Sequence, residues 1–153
     1  MTSRAQKIVI GLAIAAVVGL SLMGFIAGAA VYGWRAATRA GNEAATIQNL
    51  KTISAVETQY FTTRSRTFAT FDQLVREQML SSKFVGNPPV TDGYILTLSL
   101  TTKPMGSASS YKLAADPVDS DVGGKHFYLD SDSNRIHVNA DGAAGPDDPV
   151  IDK

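Results

Sequence analysis

Asp130-Ser131-Asp132-Ser133-Asn134 places three oxygen-bearing side chains at alternate positions. A hard divalent cation takes carboxylate and amide oxygens, and alternate spacing of this kind begins a calcium loop. Asp130, Asp132 and Asn134 are therefore candidate calcium ligands, and calcium is the only cofactor suggested. The stretch lacks the glycine and the distal glutamate of an EF-hand. Asp and Asn are also common hairpin-turn residues, which is the reading without a cofactor. His126 and His137 would lie diagonally across one face of a hairpin, but two imidazoles with no third ligand do not make a zinc site. Solvated strand histidines are the plainer reading. The chain has no cysteine, which excludes disulfides, thiol catalysis and thiolate metal sites. No local motif brings serine, histidine and an acid together, so the chain is expected not to be an enzyme.

The elements that would carry these residues begin with an apolar run. Residues 8 to 34 contain no charged side chain. As a helix they would reach ~40 Å, beyond the ~30 Å of a bilayer core. This predicts a transmembrane helix over 8–34, after a short basic flank over 1–7. A secretory signal would have an apolar core of about 7–15 residues before a small-residue site. Ala27-Gly28-Ala29 could serve as that site, but the apolar run before it is longer, so an uncleaved anchor is expected. Arg4 and Lys7 precede the run and Arg35 and Arg39 follow it, so the positive-inside rule does not orient it. Gly24 and Gly28 form a GxxxG spacing that permits close helix–helix contact.

Charge divides unevenly along the chain. The four basic residues before position 40 leave ten Lys and Arg against all fourteen Asp and Glu. The later part is thus acidic, with no basic footprint for nucleic acid. It is long enough for one small domain and not for two.

From residue 35 to 61 the pattern is that of an amphipathic helix continuing the anchor. Ala44, Ile47, Leu50, Ile53, Val56 and Tyr60 recur at spacings of three and four, with Glu43, Gln48, Lys51 and Glu57 largely on the other side. Gly41-Asn42 is its weakest point. Thr70 is spaced three residues before Gln73, a capping-box pattern that starts a short helix. Gly86-Asn87-Pro88-Pro89 closes the helical part. Period-two alternation then takes over, with Tyr94, Leu96, Leu98 and Leu100 on one strand and Tyr111, Leu113 and Ala115 on the next. Strands over about 125–130 and 135–139 form a final hairpin. A turn at 131–134 sets Phe127 opposite Val138 and Leu129 opposite Ile136, whereas a one-residue slip would scatter that apolar face. The expected fold is α+β: a long N-terminal helix, half anchor and half amphipathic, on a small antiparallel meander of about four strands. The head spans 62–140, and 141–153 is expected to be a flexible acidic tail. Its core should join Ile47, Leu50, Ile53 and Val56 to Phe127, Leu129, Ile136 and Val138.

Three stretches carry a family resemblance. They are Arg35-Ala36-Ala37-Thr38-Arg39-Ala40-Gly41-Asn42-Glu43 with Asn49-Leu50-Lys51-Thr52-Ile53, then Thr67-Phe68-Ala69-Thr70-Phe71-Asp72-Gln73-Leu74, then Phe127-Tyr128-Leu129-Asp130 with Arg135-Ile136-His137-Val138-Asn139. In order and spacing, residues 35–142 resemble the type IV pilin and type II secretion pseudopilin family. The resemblance implies a pilin-like fold and a structural, non-catalytic assembly subunit. It also implies calcium near the C-terminal loop, an inner-membrane location, a cytoplasmic N-terminus and a periplasmic head. The partners implied are membrane lipid and other membrane subunits met through the transmembrane helix, with a homo-oligomer or filament if the chain is processed. The N-terminus departs from the family. No acid precedes Glu43, where a family member has a glutamate associated with assembly, and Arg4 to Gly11 contains no convincing processing site. That departure opens a second reading, an accessory subunit of a larger membrane complex with a pilin-type cap. A third is a membrane-tethered binding module.

Overall fold

The structure, a computed structural model, describes residues 4–101, 109–119 and 122–151, with most side chains between 5 and 30 outside the described set. Two compact units emerge, residues 1–37 and residues 38–153. One helix, α1 (Arg4–Thr63), contributes to both. It passes Gly41 without interruption. No proline falls within it, and from Thr38 on alanine, glutamate, glutamine, lysine and leucine supply helix propensity. The helix ends where Thr62 and Thr63 turn their hydroxyls back onto the Gln59 carbonyl, at 2.8 and 2.9 Å. Ser65 and Arg66 then adopt left-handed backbone conformations that no helix continues.

The expected membrane anchor over 8–34 is corrected here. Among the described residues no helix is long and apolar enough to cross a membrane. The part of α1 described with all its side chains, from Val31 on, carries Arg35, Arg39, Glu43, Lys51 and Glu57, each expensive in hydrocarbon. The single-pass inner-membrane placement that rested on the anchor is corrected with it.

In the second unit, α2 (Phe71–Arg76) starts at Thr70. Its hydroxyl accepts from the Gln73 amide at 3.3 Å, while the Gln73 side chain accepts from the Thr70 amide at 2.8 Å. A single 3-10 turn (Ser82–Phe84) follows. The sheet has five strands, where about four were expected: β1 (Val90–Thr91), β2 (Tyr94–Thr101), β3 (Ser110–Pro117), β4 (His126–Asp130) and β5 (His137–Asn139). All pairs are antiparallel and the spatial order is the sequence order. The additional strand, β1, is two residues long and is joined to β2 by Asp92-Gly93. Both of these have positive φ, the geometry of a tight hairpin turn. In β4–β5, Phe127 pairs with Val138 and Tyr128 with His137.

The core lies between the later half of α1 and one sheet face. Leu50, Ile53, Leu74, Leu96, Leu113, Phe127, Leu129 and Ile136 are buried in it, and Ile47, Val56 and Val138 are partly buried against it. The tail, expected to be flexible, is hydrogen-bonded through Ile151. Val138 donates to the Pro149 carbonyl at 2.8 Å and Ile151 to the Ile136 carbonyl at 2.9 Å. These bonds lay the segment along β5, where Ile151 joins the core margin.

Candidate functional site

The stretch proposed for calcium is positioned by the β4–β5 hairpin. Asp130 Oδ1 accepts from the Asp132 and Ser133 amides at 3.1 and 2.7 Å. Burial acts to raise the Asp130 carboxyl, but hydrogen bonds from Ser133, Tyr128 and Asp132 together hold it below the usual carboxylate range. Asn134, at φ +50°, closes the turn by donating its amide to the Asp130 carbonyl at 3.0 Å. Its side-chain Oδ1 faces α1 and accepts from Ser54 Oγ, which in turn accepts from the Tyr111 hydroxyl at 3.2 Å. Asp132 Oδ1 accepts from Ser131 Oγ at 3.3 Å. The three oxygens thus belong to three separate hydrogen-bond sets, an arrangement that builds a turn. Among the described residues no group of three or more His, Asp or Glu side chains is placed to hold a metal ion.

The same turn borders a groove. It encloses about 720 Å³ between α1, the hairpin and the docked tail. Ile47, Leu129, Ile136 and Ile151 give it an apolar lining, and its charged lining residues are Lys51 and Arg135, both basic. An apolar group bearing a carboxylate suits that combination. Sequence reasoning missed this groove because it left the tail undocked, and Val150 and Ile151 form one of its walls.

Glu57 is the group that the sequence misplaced. The sequence reading set it on the outer side of α1 with the other charged residues, yet no part of it is exposed. It continues the buried stripe of Asn49, Leu50, Ile53, Ser54 and Tyr60. One carboxylate oxygen accepts from the Ala69 amide at 3.0 Å, fixing the chain that leads into α2. The other has no hydrogen-bond partner. Burial pushes its pKa from 4.5 to about 7, against a smaller opposing effect of the Ala69 bond.

Both histidines are held by partners, His126 half-buried and His137 buried. His126 Nδ1 lies 2.6 Å from Asp116 Oδ1. His137 is buried, with Nδ1 donating to the Asp148 carbonyl at 2.7 Å and its ring edge-on to Tyr128. They tie β4 to β3 and β5 to the tail.

The first unit presents a different kind of surface. Leu12, Val17, Val18, Met23, Val31, Tyr32 and Trp34 are all more than half exposed, reaching 80% at Tyr32. Ser21, which lies among them, turns its hydroxyl back to the Val17 carbonyl at 2.8 Å. Gly24 and Gly28, the proposed helix–helix contact, lie in α1, and their surroundings are outside the described set.

No family model, no curated protein and no solved structure matches the chain.

Proposed function

We infer that the protein is a structural, non-catalytic assembly subunit of pilin-like design, in which the first part of α1 joins other subunits and the second unit presents a surface. One observation carries this reading: the row of large apolar side chains exposed from Leu12 to Trp34. A helix that exposes so many large apolar side chains is covered in its working state, because exposed apolar surface of that extent marks an interaction site. By helical geometry those side chains point all around α1, and helices of neighbouring subunits on more than one side are the covering that fits. The likeness of residues 35–142 to pilin segments supports the same reading.

The absence of cysteine makes a clean test available. Met23→Cys in the full chain should form disulfide-linked species under mild oxidation, and Arg76→Cys, exposed at the end of α2, should not. No linkage at Met23→Cys, from a chain that sediments as a monomer, would overturn the reading.

The groove beside Lys51 and Arg135 favours a second reading, a module that binds an apolar carboxylate. Loss of a binding signal for a medium-chain fatty acid on Arg135→Ala would support it. No saturable binding by the native chain would remove it.

A further inference from the structure

Strand β2 is paired along its whole length on one side only. Toward β3 its residues run in register from Tyr94 opposite Pro117 to Thr101 opposite Ser110. Toward β1 the register contains only Val90 with Ile95 and Thr91 with Tyr94. One further bond, from the Leu96 amide to the Pro89 carbonyl at 2.9 Å, closes that hairpin. Proline 89 has no N–H to return, and Pro88 precedes it, so the ladder stops there.

The direction of the Leu96 amide shows which groups are left over. Backbone groups alternate along a strand, so Leu98 and Leu100 also point away from β3. The opposite polarity of β3 agrees, since the Tyr111 carbonyl accepts from Ser131 on the β4 side. Among the described residues nothing pairs with the Leu98 or Leu100 backbone on the open side. Sheet edges are normally protected by charge, proline or a bulge. Thr97-Leu98-Ser99-Leu100-Thr101 has no charge and no proline. It also reads identically in both directions.

We propose that this edge pairs with the same edge of a second copy of the chain, antiparallel about Ser99. Leu98 then lies opposite Leu100 of the other copy, and the two exchange both backbone bonds. The twofold repeats this at Leu100 and Leu98, so all the open groups of those two residues are satisfied. Thr97 lies opposite Thr101, a favourable cross-strand pair, and no like charges meet. Pro89 beside Leu96 limits the open length in each copy, and β2 ends at Thr101, so the palindrome fills the space available. Next to the edge is a groove of about 340 Å³ lined by Phe71, Pro88, Pro89, Leu96, Leu98 and Leu100, with Asp72 its charged lining residue. The incoming leucines, on the same sheet face as Leu98 and Leu100, enter it. Leu100, 37% exposed in the single chain, is covered on pairing. A foreign extended strand could meet the same backbone groups, but the palindrome and its centring between the two proline stops are specific to a second copy.

This proposal does not rest on the α1 reading, and its test uses a different part of the molecule. Ser99 is exposed and falls on the twofold in a non-hydrogen-bonded pair, where Cα atoms approach to ~4.5 Å, within reach of a disulfide. In the full chain, Ser99→Cys should give a disulfide-linked dimer on mild oxidation. Thr97→Cys should not, because the two Thr97 positions would stand ~14 Å apart. Adding Leu100→Lys to Ser99→Cys should reduce dimer yield at least fivefold, with unchanged melting temperature showing that the fold survives. A monomeric Ser99→Cys chain overturns the proposal, even if that chain captures some other strand. Equal linkage at Ser99→Cys and Thr97→Cys also overturns it, since that marks random collision. Linkage at Met23→Cys reports only on α1.

Discussion

Between Leu12 and Trp34, α1 turns large apolar side chains outward, and between Thr46 and Glu57 it turns polar ones inward. The two parts belong to one continuous helix, so secondary structure does not separate them. What differs is the surroundings. Around Leu50 and Ile53 a sheet and α2 surround the helix, and Thr46, Asn49, Ser54 and Glu57 are buried because they share that stripe. Asn49 and Ser54 find partners in Asp92, Lys83, Asn134 and Tyr111, whereas one oxygen of Glu57 does not. The earlier part has no such neighbours among the described residues, so its apolar side chains remain available. Burial follows what packs against a helix more than what the helix is made of.

The largest effect expected is at Leu50, which is wholly buried. Leu50→Ala should destabilise the fold by roughly 2–5 kcal/mol and lower Tm by roughly 10–20 °C in thermal circular dichroism. A shift near zero would mean that the core does not depend on this part of α1.

Glu57 comes next. Its pKa is about 7 in the folded chain against an ordinary value of 4.5. The folded state therefore holds the proton more tightly than the unfolded chain. No penalty applies below about pH 4.5; it grows between there and about pH 7 and is complete above that. At pH 8 it amounts to at most about 3 kcal/mol. Glu57→Gln keeps an acceptor for the Ala69 amide and removes the charge. It should raise the denaturation midpoint at pH 8, have much less effect at pH 4.5, and flatten the profile between them. Equal effects at both pH values would contradict the burial of an ionising carboxyl.

Val31→Ala should be the smallest, within about 0.5 kcal/mol, as expected for an exposed side chain. A loss above about 2 kcal/mol would show that the first part of α1 is already packed in the single chain.

Local patterns made several elements legible. Thr70 and Gln73 declared a capping box through their spacing, and both of its bonds are present. The β4–β5 register was readable because a slip by one residue would turn Phe127 and Val138 onto the wrong face. Long-range contacts were harder. Val150 and Ile151 are two apolar residues among acids and prolines, with too little pattern to announce that they dock beside Ile136. The two-residue β1 was hidden behind Pro88-Pro89, although Asp92-Gly93 was a turn signal. Glu57 kept the periodicity of the buried stripe, but its charge argued for the outside. The apolar run of 8–34 invited a membrane reading that the described helices do not support.

Trp34 is the single tryptophan and is 77% exposed, so it reports directly on whether the outward apolar part of α1 becomes covered. In dilute full-length protein its fluorescence should have the emission maximum of a water-exposed indole and be readily quenched by acrylamide. As concentration rises and subunits join, the maximum should move to shorter wavelength and acrylamide quenching should fall severalfold, in step with sedimentation. Emission and quenching that stay water-like while the chain remains a monomer at every concentration would contradict assembly through this helix.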